Sequence, residues 1–113
     1  MIARLMGLKT VDPKTLRQRM QSERIAIFDV NARGSWLGAR IPGARHLDPG
    51  AFLESDLSAE RDQALVFYCS NPFCRKAPLA ARRAGKMGYR DIYVLSAGIS
   101  GWLAAGLPTE SGG

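Results

Sequence analysis

The sequence contains few of the residues that bind metals or form disulfides. Its 113 residues include two cysteines and a single histidine, His46. A structural zinc site takes about four such ligands, so we do not expect one chain to build one. Two cysteines five positions apart also cannot form the disulfide framework of a small secreted domain. We therefore predict no metal, no cofactor and two free thiols in a cytoplasmic protein.

Long apolar runs and concentrated basic segments are also lacking. No stretch approaches the roughly 18–20 apolar residues that cross a bilayer, and the apolar part of the N-terminal segment is too short for a secretory signal. Sixteen Lys and Arg against ten Asp and Glu give a net charge of +6, but these basic residues are scattered along the chain. We expect neither a membrane nor a nucleic acid as partner, and the excess charge favours a small anionic substrate.

Strand-like and helix-like segments alternate along a chain whose length suits one domain over 1–113, with a core at about 10–108 and flexible ends. Buried strands are predicted by apolar, β-branched runs at 25–30, 64–68 and 91–95. Helices are predicted by apolar spacing at 13–21, 77–87 and 98–105, with shorter ones around Trp36 and over 49–53. The alternation predicts an α/β fold with a mainly parallel sheet.

The apolar run at 65–68 ends on Cys69, which is followed by a short loop, Cys74, Arg75 and a helix. Ligands of parallel α/β sheets bind at the carboxyl ends of the strands. Backbone N–H groups of a strand-to-helix turn can converge on a thiol there, which lowers its pKa and prepares a site for an anion. These features predict Cys69 as a nucleophile, with the backbone amides of 70–75 as an anion cradle.

Four segments occur in a recognisable order along the chain. They are Phe28-Asp29-Val30, Arg40-Ile41-Pro42-Gly43-Ala44, Val66-Phe67-Tyr68-Cys69 and a closing segment from Gly88 to Pro108. Together they resemble the single-domain rhodaneses, a family of sulfurtransferases, over about 12–108. The resemblance implies a five-stranded, mainly parallel sheet with helices on both faces. It also implies that Cys69 takes a sulfur atom as a persulfide from a donor such as thiosulfate and passes it to a thiol, protein or cyanide acceptor.

The remaining site predictions concern residues around Cys69. Ser70, Asn71, Phe73 and Arg75 are predicted to bind the substrate or its anionic group. The guanidinium of Arg75 suits an anionic donor, and Phe73 is expected to form a hydrophobic lip that favours a protein or thiol-carrying partner. Asp29, at the end of a strand, is a candidate for orienting the loop from behind.

The chain also departs from the rhodanese pattern. Asn31 stands where the family usually has arginine, and Ser35 and Arg40 replace an acidic residue and a histidine. Five residues rather than the usual four separate Cys69 from Arg75. This longer loop resembles that of rhodanese-fold phosphatases and arsenate reductases, so both of these activities stay open. The Pro-Phe pair at 72–73 removes one loop donor and adds an apolar ring, which suits a phosphate cradle poorly.

Cys74 leaves further functions open. It lies near the position of the family's arginine, as in a subset of bacterial rhodanese-like proteins with a second cysteine. Such a thiol can attack the Cys69 persulfide, release sulfide and leave a disulfide, so Cys74 is a candidate resolving cysteine. Free cysteines are also often buried simply as small apolar residues. Cys69 and Cys74 could also form a thiol redox switch, and the chain could be a non-catalytic rhodanese module.

Overall fold

The computed structural model describes residues 2–113, and its helices and strands alternate as the sequence predicts. In chain order they are α1 (Ile2–Leu5), β1 (Thr10–Val11), α2 (Pro13–Ser22), β2 (Ile25–Asp29), α3 (Arg33–Gly38), β3 (Arg45–His46), a short 3₁₀ helix (Glu54–Asp56), β4 (Ala64–Tyr68), α4 (Lys76–Lys86), β5 (Ile92–Leu95) and α5 (Gly98–Ala104). The five strands form one parallel sheet in the order β1-β5-β4-β2-β3. The predicted five-stranded parallel α/β fold is therefore confirmed.

Both faces of the sheet are covered by other elements. Its central strand, β4, is accordingly apolar and buried at every position. Successive side chains of a strand point to opposite faces. Leu65 and Phe67 accordingly enter one core cluster with the alanines of α4. Val66 and Tyr68 enter a second cluster that includes residues of α2 and α5. A strand buried on both faces is typical of parallel sheets, and this one delivers Cys69 to the carboxyl edge.

The long helices begin and end at the residues that favour such boundaries. Asp12 caps α2, since its Oδ1 accepts the backbone N–H of Thr15 at 2.9 Å, and Pro13 occupies the first turn. Helix α4 starts early enough to place Pro78 in its first turn, where proline is tolerated. Gly88 follows α4 with a φ of 96°, a left-handed conformation that favours glycine. The predicted helices 13–21 and 77–87 are confirmed to within one residue at each end.

The helix predicted over 49–53 is wrong. The segment forms a turn in which the Asp48 carbonyl accepts the N–H groups of Ala51 and Phe52, both at 3.2 Å. The Asp48 side chain also accepts the N–H of Gly50 at 3.0 Å. A side chain that bonds its own downstream backbone favours a turn over a helix, and a 3₁₀ helix follows only at Glu54–Asp56.

Both ends of the described chain make contacts with the domain. Ala3 of α1 is buried in the core cluster that also contains Cys69, and the N–H of Ile2 donates to the carbonyl of Pro72 at 3.5 Å. Near the other end, Arg40 and Glu110 form an antiparallel bridge. Neither α1 nor β1 was predicted from the sequence. Among residues 2–113, no helix has the length and apolar character required to span a bilayer.

Candidate active site

Cys69 lies directly after β4, at the carboxyl edge of the sheet, and is almost fully buried with 2% of its surface exposed. Its Sγ accepts the backbone N–H of Ala77, in the first turn of α4, at 3.4 Å. The thiol therefore sits between the central strand and the start of a helix, as the sequence predicts for the nucleophile. The amide of Ala77 is a donor that lies outside the predicted cradle of 70–75.

Helix α5 donates two backbone hydrogen bonds to the first part of the loop. The N–H groups of Ile99 and Ser100 donate to the carbonyls of Cys69 and Ser70 at 2.9 and 3.0 Å. In a trans peptide the carbonyl and the following N–H point in opposite directions. Since both carbonyls accept from α5, the N–H groups of Ser70 and Asn71 point away from these donors, and that of Ser70 interacts with the two sulfurs.

Other amides of the loop are already used within it. The N–H of Phe73 donates to the Asn71 side-chain Oδ1 at 2.9 Å, and the N–H of Cys74 donates to the Asn71 carbonyl at 3.2 Å. Pro72 has no N–H. Three consecutive positions, 72–74, therefore contribute no free donor to an anion cradle. The asparagine side chain closes this turn in the way that such residues commonly do.

The two thiols influence each other, and their pKa values move in opposite directions. Burial raises the pKa of Cys69 to about 12, and the bond from its S–H to Cys74 adds to this rise. Partial burial alone would raise the pKa of Cys74 as well. Hydrogen bonds from Cys69 and from the backbone of Ser70 and Lys76 outweigh that effect and lower the pKa of Cys74. The sequence predicted a lowered pKa at Cys69, but in this structure Cys74 is the thiol whose negative form is stabilised.

A small pocket, partly open to solvent, lies beside the two thiols. Its volume is about 10 Å³, and it is lined by residues of the loop, of α4, of the end of β5 and by Ala3 of α1. That volume holds about one water molecule. The space next to Cys69 therefore suits one additional atom, whereas a tetrahedral oxyanion has five.

Arg75 and Phe73 lie outside this cavity. Arg75 instead lines an open groove of about 320 Å³ with the apolar residues Leu5 of α1 and Leu79 of α4. Phe73 is 78% exposed at the tip of the loop. The structure brings Ser70 and Asn71 to Cys69, but it places the Arg75 guanidinium on a neighbouring surface.

A polar network that begins at the buried end of β2 contacts the active-site loop through Ser70. Asp29 is fully buried, and its Oδ1 accepts the N–H of Asn31 at 2.8 Å. The Asn31 side-chain oxygen in turn accepts the hydroxyl of Ser70 at 2.8 Å. Burial raises the pKa of Asp29, although the hydroxyl of Tyr68 and the Asn31 amide partly offset this rise. The carboxyl of Asp29 thus reaches the loop through Asn31.

Sequence reasoning missed three contributors to the site. Asn31 links Asp29 to the loop, Ala77 supplies an amide to the Cys69 sulfur, and the first turn of α5 fixes the direction of the loop carbonyls. The departure of Asn31 from the family's usual arginine was the one available signal. Backbone amides carry no such signal in a sequence.

Comparisons with known proteins agree with this geometry. A family model described as the rhodanese-like domain matches residues 12–105. The chain is 30% identical over 99 residues to an HTH-type transcriptional regulator of Mycobacterium tuberculosis, covering 86% of this chain and 42% of the regulator. It is 26% identical over 106 residues to the thiosulfate sulfurtransferase GlpE of Actinobacillus succinogenes, covering 94% of each.

The fold is shared with solved structures as well. A thiosulfate sulfurtransferase from Pseudomonas aeruginosa superposes with a TM-score of 0.80 at 29% identity, over 93% of this chain and 20% of that one. The chain thus spans less than half of the Mycobacterium regulator and a fifth of the Pseudomonas protein. It spans nearly all of the Actinobacillus protein.

Proposed function

Since the chain belongs to the rhodanese-like domain family, we propose that it is a sulfurtransferase in which Cys69 carries a sulfane sulfur as a persulfide. The donor is a small anionic sulfur compound such as thiosulfate, and the acceptor is a thiol, a protein or cyanide. Relatives with thiosulfate sulfurtransferase in their names support this class of reaction. Both cysteines of the described chain are free thiols, and a reducing compartment such as the cytoplasm would keep them so.

The one-atom cavity beside Cys69 is the observation that carries the proposal. A persulfide adds one sulfur atom to Sγ, and the adjoining space of about 10 Å³ accommodates about one atom. The cavity is bordered by Asn71 and Ala77, and the backbone amides of Ser70 and Ala77 are directed at the Cys69 sulfur. Oriented amides of this kind stabilise a negative charge on a terminal sulfur.

The transfer balances in atoms, protons and charge. Cys69 Sγ attacks the outer sulfur of thiosulfate, a new S–S bond forms, and sulfite leaves with the electron pair of the broken bond. Cys69 reacts as its thiolate and releases its proton to solvent. Only the outer sulfur of the donor has to enter the cavity, so the sulfonate group stays outside it.

The same features argue against phosphatase and arsenate reductase activity. A phosphate or arsenate has five heavy atoms, which exceed the space beside Cys69. Positions 72–74 offer no free N–H to such an anion, because Pro72 has none and the amides of Phe73 and Cys74 bond Asn71. Arg75, the expected anion ligand, lines the groove with α1 instead.

Sulfur uptake by the reduced protein tests the proposal. Wild type, Cys69→Ser and Cys74→Ser are each incubated anaerobically with thiosulfate or polysulfide, and the intact mass is measured. We expect Cys74→Ser to gain one sulfur atom and Cys69→Ser to gain none. Cyanide should then remove that sulfur as thiocyanate, and an aryl phosphate should not be hydrolysed.

The same experiment distinguishes the competing functions. Failure of Cys74→Ser to take sulfur from either donor would overturn the sulfurtransferase proposal. If the wild type then still formed an internal disulfide with a mild oxidant, a thiol redox switch would be favoured. If it did neither, a non-catalytic module would be the better description.

A further inference from the structure

The two cysteines of the chain line the same pocket. Cys69 and Cys74 both line the small pocket at the end of β4, and the pKa of each thiol is shifted by the other. Cys74 also packs against the core cluster that contains Cys69. A persulfide on Cys69 would therefore form within reach of a second sulfur that belongs to the same loop.

The surroundings of Cys74 differ from those of a structural cysteine. Its side chain is partly exposed, whereas Cys69 is closed off from solvent. Its sulfur receives hydrogen bonds from the backbone of Ser70 and Lys76. Such donors favour the thiolate, which is the attacking form in thiol–disulfide exchange. Cys74 thus combines access, charge stabilisation and contact with the carrier thiol.

We propose that Cys74 discharges the Cys69 persulfide within the chain, so that the protein reduces sulfane sulfur to sulfide and finishes with a Cys69–Cys74 disulfide. This inference rests on the sulfurtransferase function proposed above. It adds a second product, sulfide, and a defined final reductant, an external dithiol. The chain itself then supplies the two electrons, and the sulfur leaves as sulfide without an external sulfur acceptor.

The step balances in atoms, protons and electrons. After sulfur uptake, Cys69 carries the persulfide anion and Cys74 enters the next step as a thiol. The Cys74 proton moves to the outer sulfur of the persulfide, and the Cys74 sulfur attacks Cys69 Sγ. The bond between the two sulfurs of the persulfide breaks and hydrosulfide leaves with its electron pair. The outer sulfur is reduced by two electrons, and the two cysteines are oxidised to a disulfide.

A dithiol is the chemical class that returns the protein to its starting state. One of its thiolates attacks the new disulfide to give a mixed disulfide, and its second thiol resolves that bond. Cys74 is the more exposed of the two sulfurs, so it is the sulfur that an external thiolate can reach. Cys69 is released as the reduced carrier, ready for another sulfur.

A single turnover without external thiol tests the inference. Reduced wild type is freed of reductant, mixed anaerobically with thiosulfate or polysulfide, and analysed by intact mass and sulfide release. We expect a loss of two hydrogen atoms and release of about one equivalent of sulfide per chain. Because the sequence has only two cysteines, such a mass change in a monomer identifies the Cys69–Cys74 bond. The matched control is Cys74→Ser, which should keep the added sulfur and release sulfide only when a dithiol is added.

The test distinguishes this inference from the function on which it rests. If wild type and Cys74→Ser both retain the added sulfur and release no sulfide, internal discharge is refuted and the carrier function stands. If Cys74→Ser takes up no sulfur from either donor, the carrier function fails and the inference fails with it. A disulfide that appears only between two chains on a non-reducing gel would also refute discharge within one chain. Circular dichroism of both cysteine variants verifies that they retain the fold.

Discussion

The contact between α5 and the active-site loop predicts a large effect of replacing Gly98 with alanine. Gly98 has a φ of 66°, and a Cβ built there would lie 2.6 Å from backbone atoms of Ser70 and Asn71. A left-handed conformation costs an L-residue about 1 kcal/mol. The clash with the loop backbone also weakens the two hydrogen bonds from α5 to the loop, each contributing about 1 kcal/mol. We expect Gly98→Ala to lower the free energy of unfolding by about 3 kcal/mol.

The matched control is Gly106→Ala. Gly106 has a similar φ of 72°, but no atom lies within 4 Å of the position that its Cβ would take. It should therefore lose only the conformational contribution of about 1 kcal/mol. Urea unfolding followed by circular dichroism measures both values, and sulfur uptake by the folded variants reports on the loop. Equal losses of stability in the two variants, with unchanged sulfur uptake at Gly98→Ala, would refute the idea that α5 holds the loop in place.

Two further predictions follow from the thiol pair and from the network behind it. With iodoacetamide at neutral pH, Cys74 should be alkylated at least about tenfold faster than Cys69, because the raised pKa and the burial of Cys69 suppress its reactive thiolate. Peptide mapping after partial labelling gives the order of reaction, and faster labelling of Cys69 would contradict this prediction. Asn31→Ala and Ser70→Ala should each lower the free energy of unfolding by about 1 kcal/mol, because both remove the same hydrogen bond. For the same reason the double variant should lose little more than either single variant. Additive losses in a double-mutant cycle would show that the bond contributes nothing.

The fold was largely predictable because its signals are local or periodic. Continuous apolar runs indicate buried parallel strands, and caps such as Asp12 with Pro13 mark where a helix begins. The missed elements had no comparable signal. Strand β1 has two residues and exists only through pairing with β5, and α1 is a single turn held by tertiary contacts. The false helix over 49–53 arose because the turn-forming bonds of Asp48 were not anticipated.

The position of Cys69 at the carboxyl edge of the sheet could be predicted from the sequence, whereas its surroundings could not. Cys69 was identifiable because a strand, a loop and a helix in that order place one residue at the carboxyl edge. Its raised pKa was not, because the degree of burial depends on residues as distant as Ala3. Three-dimensional packing also determines where the Arg75 side chain lies. It likewise determines that loop amides donate their hydrogen bonds to Asn71.

The composition of the loop predicts which sulfur donor the protein prefers. Positions 72–74 offer no free amide, and Arg75 faces the groove beside α1, so little in the site binds the sulfonate group of thiosulfate. A sulfane sulfur that arrives without a bulky anionic group, as in polysulfide, needs only the one-atom cavity at Cys69. We therefore expect kcat/KM for sulfide release in the presence of a dithiol to be at least about tenfold higher with polysulfide, which corresponds to about 1.4 kcal/mol of differential stabilisation. Arg75→Ala should change that ratio little, because its guanidinium does not line the cavity. Equal efficiency with the two donors, or a selective loss of thiosulfate turnover in Arg75→Ala, would mean that the loop opens to a wider anion site during the reaction.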